Sequence, residues 1–125
     1  MNLKTDTKEK FTVFTPEETA LPVNMTENLV ETLNKWMQKD IPHVILNLKA
    51  VESLPEKSAE AIATLQQKFY ENHCSFVICE LQPAVESMLE KIELLEVMNV
   101  TPTESEAWDI VQMEEIEREL LGGEE

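Results

Sequence analysis

Residues 1–121 contain no glycine; both glycines of the chain, Gly122 and Gly123, stand near its end. Every glycine-rich phosphate loop is thereby excluded, because such a backbone must approach its ligand with no Cβ in the way. Arginine is almost as scarce, with Arg118 alone. Ten basic residues face 25 acids, a formal net charge of −15, which argues against phosphate-driven binding of nucleic acid. No apolar run approaches the ~18 residues of a membrane span, and the N-terminus lacks a signal-peptide pattern. The expected location is the cytoplasm, with no membrane insertion. Cys74 and Cys79 make no disulfide framework in a chain of 125 residues. Their spacing is not that of a zinc knuckle or redox motif, so no metal and no cofactor is expected.

What is present is a globular composition, 42% hydrophobic and 28% charged, in a length that suits one domain. A chain of that size buries roughly two-thirds of its unfolded surface. The charge is uneven. Residues 1–50 carry six lysines against seven acids, whereas residues 51–125 carry four basic residues against eighteen acids. One acidic face follows, suited to a partner with a basic docking surface; solubility alone is the plainer explanation.

Asn24-x-x-Glu27, Ser53-x-x-Glu56 and Thr103-x-x-Glu106 each read as a capping box at a helix start. Pro83 marks a fourth start, since its missing N–H would be unpaired in a first turn anyway. Apolar residues at helical spacing follow each one: Leu29, Leu33, Trp36 and Met37; Ala59, Ile62, Leu65 and Phe69; Val85, Met88, Leu89 and Ile92; Ala107, Ile110 and Val111. Between them, Val44–Leu48 and Phe76–Cys79 are β-branched and nearly continuous, as in strands covered on both faces. Val97–Val100, Phe11–Phe14 and an edge segment within Asn2–Thr7 complete the strand candidates. The order β-β-α-β-α-β-α-β-α predicts one α/β domain with a mixed sheet of four or five strands and four helices.

Met113, Ile116 and Leu120 form an apolar stripe displaced from Ala107, Ile110 and Val111, within a run dense in glutamate. Either one long helix rotates its buried face, or a core helix ends near Glu114 and an amphipathic extension docks on a partner or second copy. A frayed or loosely packed extension is the plainer reading, since chain ends are usually mobile. The division taken is a domain over residues 1–112 and an acidic extension over 113–125, with Gly122-Gly123 as the helix stop.

Three segments resemble the STAS domain family, the module of anti-sigma factor antagonists and of sulfate-transporter tails. His43-Val-Ile-Leu-Asn-Leu-Lys-Ala-Val51 is similar to the family's central strand. Cys74-Ser-Phe-Val-Ile-Cys-Glu-Leu-Gln-Pro-Ala-Val85 is similar to the next strand and its proline-started helix. Ser87–Leu94, Val97–Val100, Thr103 and Ala107 follow the Leu-rich helix, terminal strand and last helix. The resemblance implies a non-enzymatic regulator that binds an anti-sigma factor or serine kinase, with a loop reading Asp-Ser-Ser-Gly at the second helix start. A serine there is phosphorylated, placing nearly two negative charges at a helix N-terminus that is also the docking surface.

In the ungapped match that loop is Pro55-Glu56-Lys57-Ser58, and Lys57 takes the phosphoacceptor position. A one-residue shift makes Ser58 the acceptor instead. The ungapped register is preferred because it aligns Ile62 and Phe69 with buried helix positions. Asn47 replaces an aspartate common on the preceding strand, and Glu93 replaces a glycine before Leu94. Glu56 is read as a helix cap rather than a phosphate mimic, and Ser58 as an ordinary first-turn serine facing solvent or, in the shifted register, the acceptor. The phospho-switch is therefore expected to be lost or altered, with Ser53, Glu56, Lys57, Ser58, Glu60 and Ala61 as the partner-binding surface. A constitutive structural subunit of a lipid-transport or sensory complex is the alternative, and a homodimer is left open.

The remaining candidates name no chemistry. His43 and His73 have no neighbouring nucleophile and read as edge or turn residues. Trp108 reads as a partner anchor or as a cover over the sheet edge. Twenty-five acids make accidental carboxylate pairs certain, and most fall on helix surfaces, so no catalytic residue is named.

Overall fold

Alternating strand and helix patterns give β1 (Leu3–Thr7), β2 (Thr12–Pro16), α1 (Val23–Trp36), β3 (Val44–Asn47), α2 (Glu56–Glu71), β4 (Phe76–Cys79), α3 (Pro83–Lys91), β5 (Val100–Thr101) and α4 (Glu104–Gly122). The computed structural model describes residues 1–122. The strands form one sheet in the order β1-β2-β3-β4-β5. β1 pairs with β2 antiparallel, and every later pairing is parallel, so the predicted mixed α/β sheet is present with five strands.

Side chains alternate across a strand, and that period sorts the core into two layers. Phe14, Val44, Leu46, Phe76 and Ile78 face the side where Leu29, Leu33, Ile62, Phe69, Val85 and Leu89 of α1, α2 and α3 pack. Val13, Ile45, Val77 and Cys79 face the opposite side, against Ala107 and Val111 of α4. The three crossover helices thus cover one face, and α4 alone covers the other. Both faces are sealed, which explains the continuous apolar runs of β3 and β4. Trp108 packs edge-on to Phe11 at 5.2 Å and donates to Glu104, so it covers the sheet rather than standing free.

Three expected boundaries are corrected. Asn24 and Ser53 are not helix caps, because Pro22 and Pro55 hold those positions in extended conformation. Upstream of them, Ala20 and Ser53 form a parallel bridge, and the Leu21 N–H donates to the Ser53 carbonyl at 3.2 Å. Ser53 is thus engaged in tertiary pairing, and α2 starts two residues later than its sequence pattern suggests. Of the Val97–Val100 candidate only Val100 is strand, with β5 continuing to Thr101; the Val97 and Met98 N–H groups donate to the Leu94 carbonyl in a turn. By contrast, the Thr103 hydroxyl does accept from the Glu106 N–H at 3.3 Å, and Pro83 does open α3.

α4 is unbroken from Glu104 to Gly122, so its two apolar stripes share one helix. Gly123 and the residues after it lie outside the described residues.

Candidate functional site

The edge of the sheet at the C-terminal ends of β3 and β4 carries the starts of α2, α3 and α4. Parallel βαβ units place their loops there, and such edges are where α/β folds build sites. Pro55 fixes the entry to α2, and its carbonyl accepts from the Ala59 N–H at 3.0 Å. Glu56, Lys57 and Glu60 are exposed on the first two turns, Ala61 is half-buried, and Ser53 is exposed just upstream. Glu56 complements the partial positive charge of the helix start, whereas Lys57 opposes it. Lys57 makes no ion pair among the described residues.

Ser58 does not face solvent, contrary to its reading as an open first-turn serine. It is 1% exposed, and its hydroxyl donates to the Leu21 carbonyl at 3.2 Å. The same carbonyl also accepts from the Thr26 hydroxyl at 3.3 Å. Leu21 therefore joins the starts of α1 and α2 through two buried hydroxyls. Ser53, Glu56, Lys57 and Glu60 are exposed at and just before the start of α2, whereas Ser58 is buried.

Beside this surface, Asn47 takes both ends of a short network. Its Oδ1 accepts from the Lys49 N–H at 3.0 Å, which leaves its Nδ2 to donate to Glu104 at 3.0 Å. Glu104 also accepts from the Trp108 indole at 3.1 Å, and the Glu104 N–H donates to Glu80 at 2.8 Å. Burial and the Glu104 and Glu80 carboxylates push the Cys79 thiol up to about 12, only partly opposed by Lys49. Cys79 is an inert core thiol. Burial also raises Cys74, with the Arg118 charge opposing.

The opposite edge holds a second polar cluster that the sequence reading missed. Ser75 donates to Glu114 at 2.6 Å and accepts from Arg118 at 3.1 Å, while its N–H donates to His43 Nδ1 at 3.1 Å. Asn99 donates to the other Glu114 oxygen at 3.2 Å. Burial, then the Arg118 charge, lowers His43 below its ordinary range, against an opposing pull from Glu115. His43 is thus an acceptor inside a network rather than a loose edge residue. Sequence separations of 15 to 43 residues among these hydrogen-bonded pairs left no local signal. A groove of about 980 Å³ runs beside it, lined in part by Thr64, Tyr70, Val97 and Met98. Among the described residues no group of three or more His, Cys, Asp and Glu side chains is placed to hold a metal ion. No described helix is long and apolar enough to cross a membrane.

The architecture has close counterparts among solved structures. A Thermotoga maritima protein superposes with a TM-score of 0.78 at 18% identity, covering 88% of this chain and 94% of that one. An anti-sigma-factor antagonist (STAS) domain protein from Planctomyces limnophilus gives 0.75 at 21% identity, covering 88% and 97%. An anti-sigma factor antagonist from Mycobacterium paratuberculosis gives 0.76 at 16%, covering 89% and 93%. At such identities the likeness is one of fold. A comparison with curated proteins finds no match. The model of the STAS domain, however, matches residues 2–107, and by that match the chain belongs to the STAS domain family.

Proposed function

We propose that the chain is a non-enzymatic regulatory module, cytoplasmic in location, that binds another protein through the exposed start of α2 without an ordinary serine phospho-switch. The partner is an anti-sigma factor or a serine kinase of a partner-switching circuit. One observation carries the reading: an exposed lysine, Lys57, precedes a serine whose hydroxyl is bonded to a buried carbonyl. A kinase needs an exposed hydroxyl at the end of a mobile contact, and burial removes Ser58 from that role. Lys57 cannot accept a phosphate in its place. The structural neighbours named as anti-sigma factor antagonists support the class of partner.

The test combines the protein with ATP, a serine kinase and the anti-sigma factor of a partner-switching circuit, followed by intact-mass spectrometry and a binding measurement. Unmodified protein that still binds, and that loses at least tenfold in affinity on Lys57→Glu, supports the reading. A phosphate on Ser58 that abolishes binding overturns it.

The same buried serine favours a second reading, a constitutive subunit of a larger assembly such as a lipid-transport or sensory complex. Stoichiometric co-purification with membrane-transport or receptor components, and no affinity for an anti-sigma factor, distinguishes it from the first.

A further inference from the structure

The C-terminal half of α4 carries large apolar side chains that are exposed among the described residues. Met113, Ile116, Leu120 and Leu121 are 53%, 57%, 68% and 74% exposed. Met113, Ile116 and Leu120 follow the i, i+3, i+7 spacing of a single helix stripe. The buried side of the same helix is accounted for by Ala107 and Val111 in the core, and by Glu114 and Arg118 turned toward Ser75. At about 100° per residue, the stripe lies on a different side of α4 from that core contact.

Charge decides what fits the stripe. Exposed Asp109, Glu117 and Glu119 flank it, and none of them makes an ion pair among the described residues. The one arginine of α4, Arg118, is turned inward on the Ser75 hydroxyl at 3.1 Å. A second copy laid on this stripe would set the same acids against one another, and an anionic lipid surface would be repelled in the same way. A helix with apolar residues every three or four positions and Lys or Arg on its flanks matches both the spacing and the charge.

We infer that the stripe of Met113, Ile116 and Leu120 on α4 is a docking surface for a basic amphipathic helix of a partner protein. It stands on the sheet face opposite α1, α2 and α3, so its occupancy is compatible with simultaneous binding at the start of α2. The inference does not depend on what binds there.

Two synthetic 18-residue helical peptides test it against the full chain by fluorescence anisotropy. They share the same leucine positions and differ only in lysine or glutamate at the flanking positions. The lysine peptide is expected to bind at least tenfold more tightly than the glutamate peptide. The double substitution Ile116→Ser with Leu120→Ser is expected to weaken it at least tenfold, while Lys57→Glu changes it less than twofold. Both substituted residues are exposed, so an unchanged thermal unfolding midpoint verifies that the fold is intact. Equal binding of the two peptides overturns the inference. So does lysine-peptide binding that falls with salt but ignores the double substitution, since that is contact with acids alone. A dimer in sedimentation that the double substitution dissolves overturns it in favour of a second copy.

Discussion

The side-chain amide of Asn47 donates to the Glu104 carboxylate at 3.0 Å, tying the end of β3 to the first turn of α4 across 57 residues of sequence. Asn47 is buried, and its other amide end is already committed to the Lys49 N–H. An aspartate there would set its carboxylate against that of Glu104 at hydrogen-bond distance. Asn47→Asp is expected to cost about 2–3 kcal/mol at pH 7, because a like charge replaces a donor. The loss should shrink as pH falls and one carboxyl protonates. Adding Glu104→Gln should restore most of it, as read by urea unfolding of the single and double variants.

Ser58 offers a second test of the α2 start. Ser58→Ala leaves the Leu21 carbonyl with Thr26 as a remaining partner, so the cost is expected to be about 1 kcal/mol. Ser58→Glu would place a charge where the serine is 1% exposed and should cost more than about 3 kcal/mol. Chemical denaturation separates the two. A freely tolerated glutamate would show that this segment opens readily.

Two helix ends use side chains where glycine is the usual choice. At the end of α2, His73 has φ 61°, the Cys74 N–H donates to the Phe69 carbonyl, and the His73 N–H donates to Tyr70. At the end of α3, Glu93 has φ 63°, the Leu94 N–H donates to Leu89, and the Glu93 N–H donates to Glu90. Both are Schellman caps, and both hold a Cβ in the left-handed region. His73→Gly and Glu93→Gly should each stabilise the fold by about 1 kcal/mol. The thermal midpoint is expected to rise by about 3–5 °C for each.

His43 predicts a pH dependence. Burial and Arg118 depress its folded-state pKa, with Glu115 opposing, so the unfolded chain binds the proton more readily. That contribution to stability is complete above the unfolded value of about 6.5 and declines as pH falls below it. His43→Asn retains an acceptor for the Ser75 N–H and should flatten the stability profile between about pH 7 and 5.5. An NMR titration should place the His43 inflection below the unfolded value.

Thiol chemistry gives a fifth check. Cys79 is fully buried with its thiol at about 12, and Cys74 is buried and raised as well. Neither should react with a disulfide reagent at pH 8 in the folded protein, and both should react in denaturant.

Strands β3 and β4 were legible because both of their faces are buried, so an apolar run suffices to find them. The α2 stripe was legible because Ala59, Ile62, Leu65 and Phe69 all reach the core. The helix starts at Asn24 and Ser53 were misplaced because local capping chemistry lost to tertiary pairing. Leu21 and Leu54 bury ahead of Pro22 and Pro55, and the Ala20–Ser53 bridge fixes both segments before either helix begins. At the candidate site, the exposed positions of Glu56, Lys57 and Glu60 followed from helical spacing. The burial of Ser58 did not, since its acceptor lies 37 residues away. The two polar networks were equally out of reach, being joined only when α4 lays Glu104 and Glu114 against opposite ends of the sheet.

Because one helix closes the second face of the sheet, the order of synthesis matters. Phe11, Val13, Ile45, Val77 and Cys79 are all made before the first residue of α4. On the ribosome, the crossover layer has its helices in hand while this apolar face still has none. Until α4 emerges, the nascent chain presents a surface suited to chaperones or to misassociation with its neighbours. The final helix is thus the step that converts a half-covered sheet into a finished domain, and its arrival sets the interval of greatest risk.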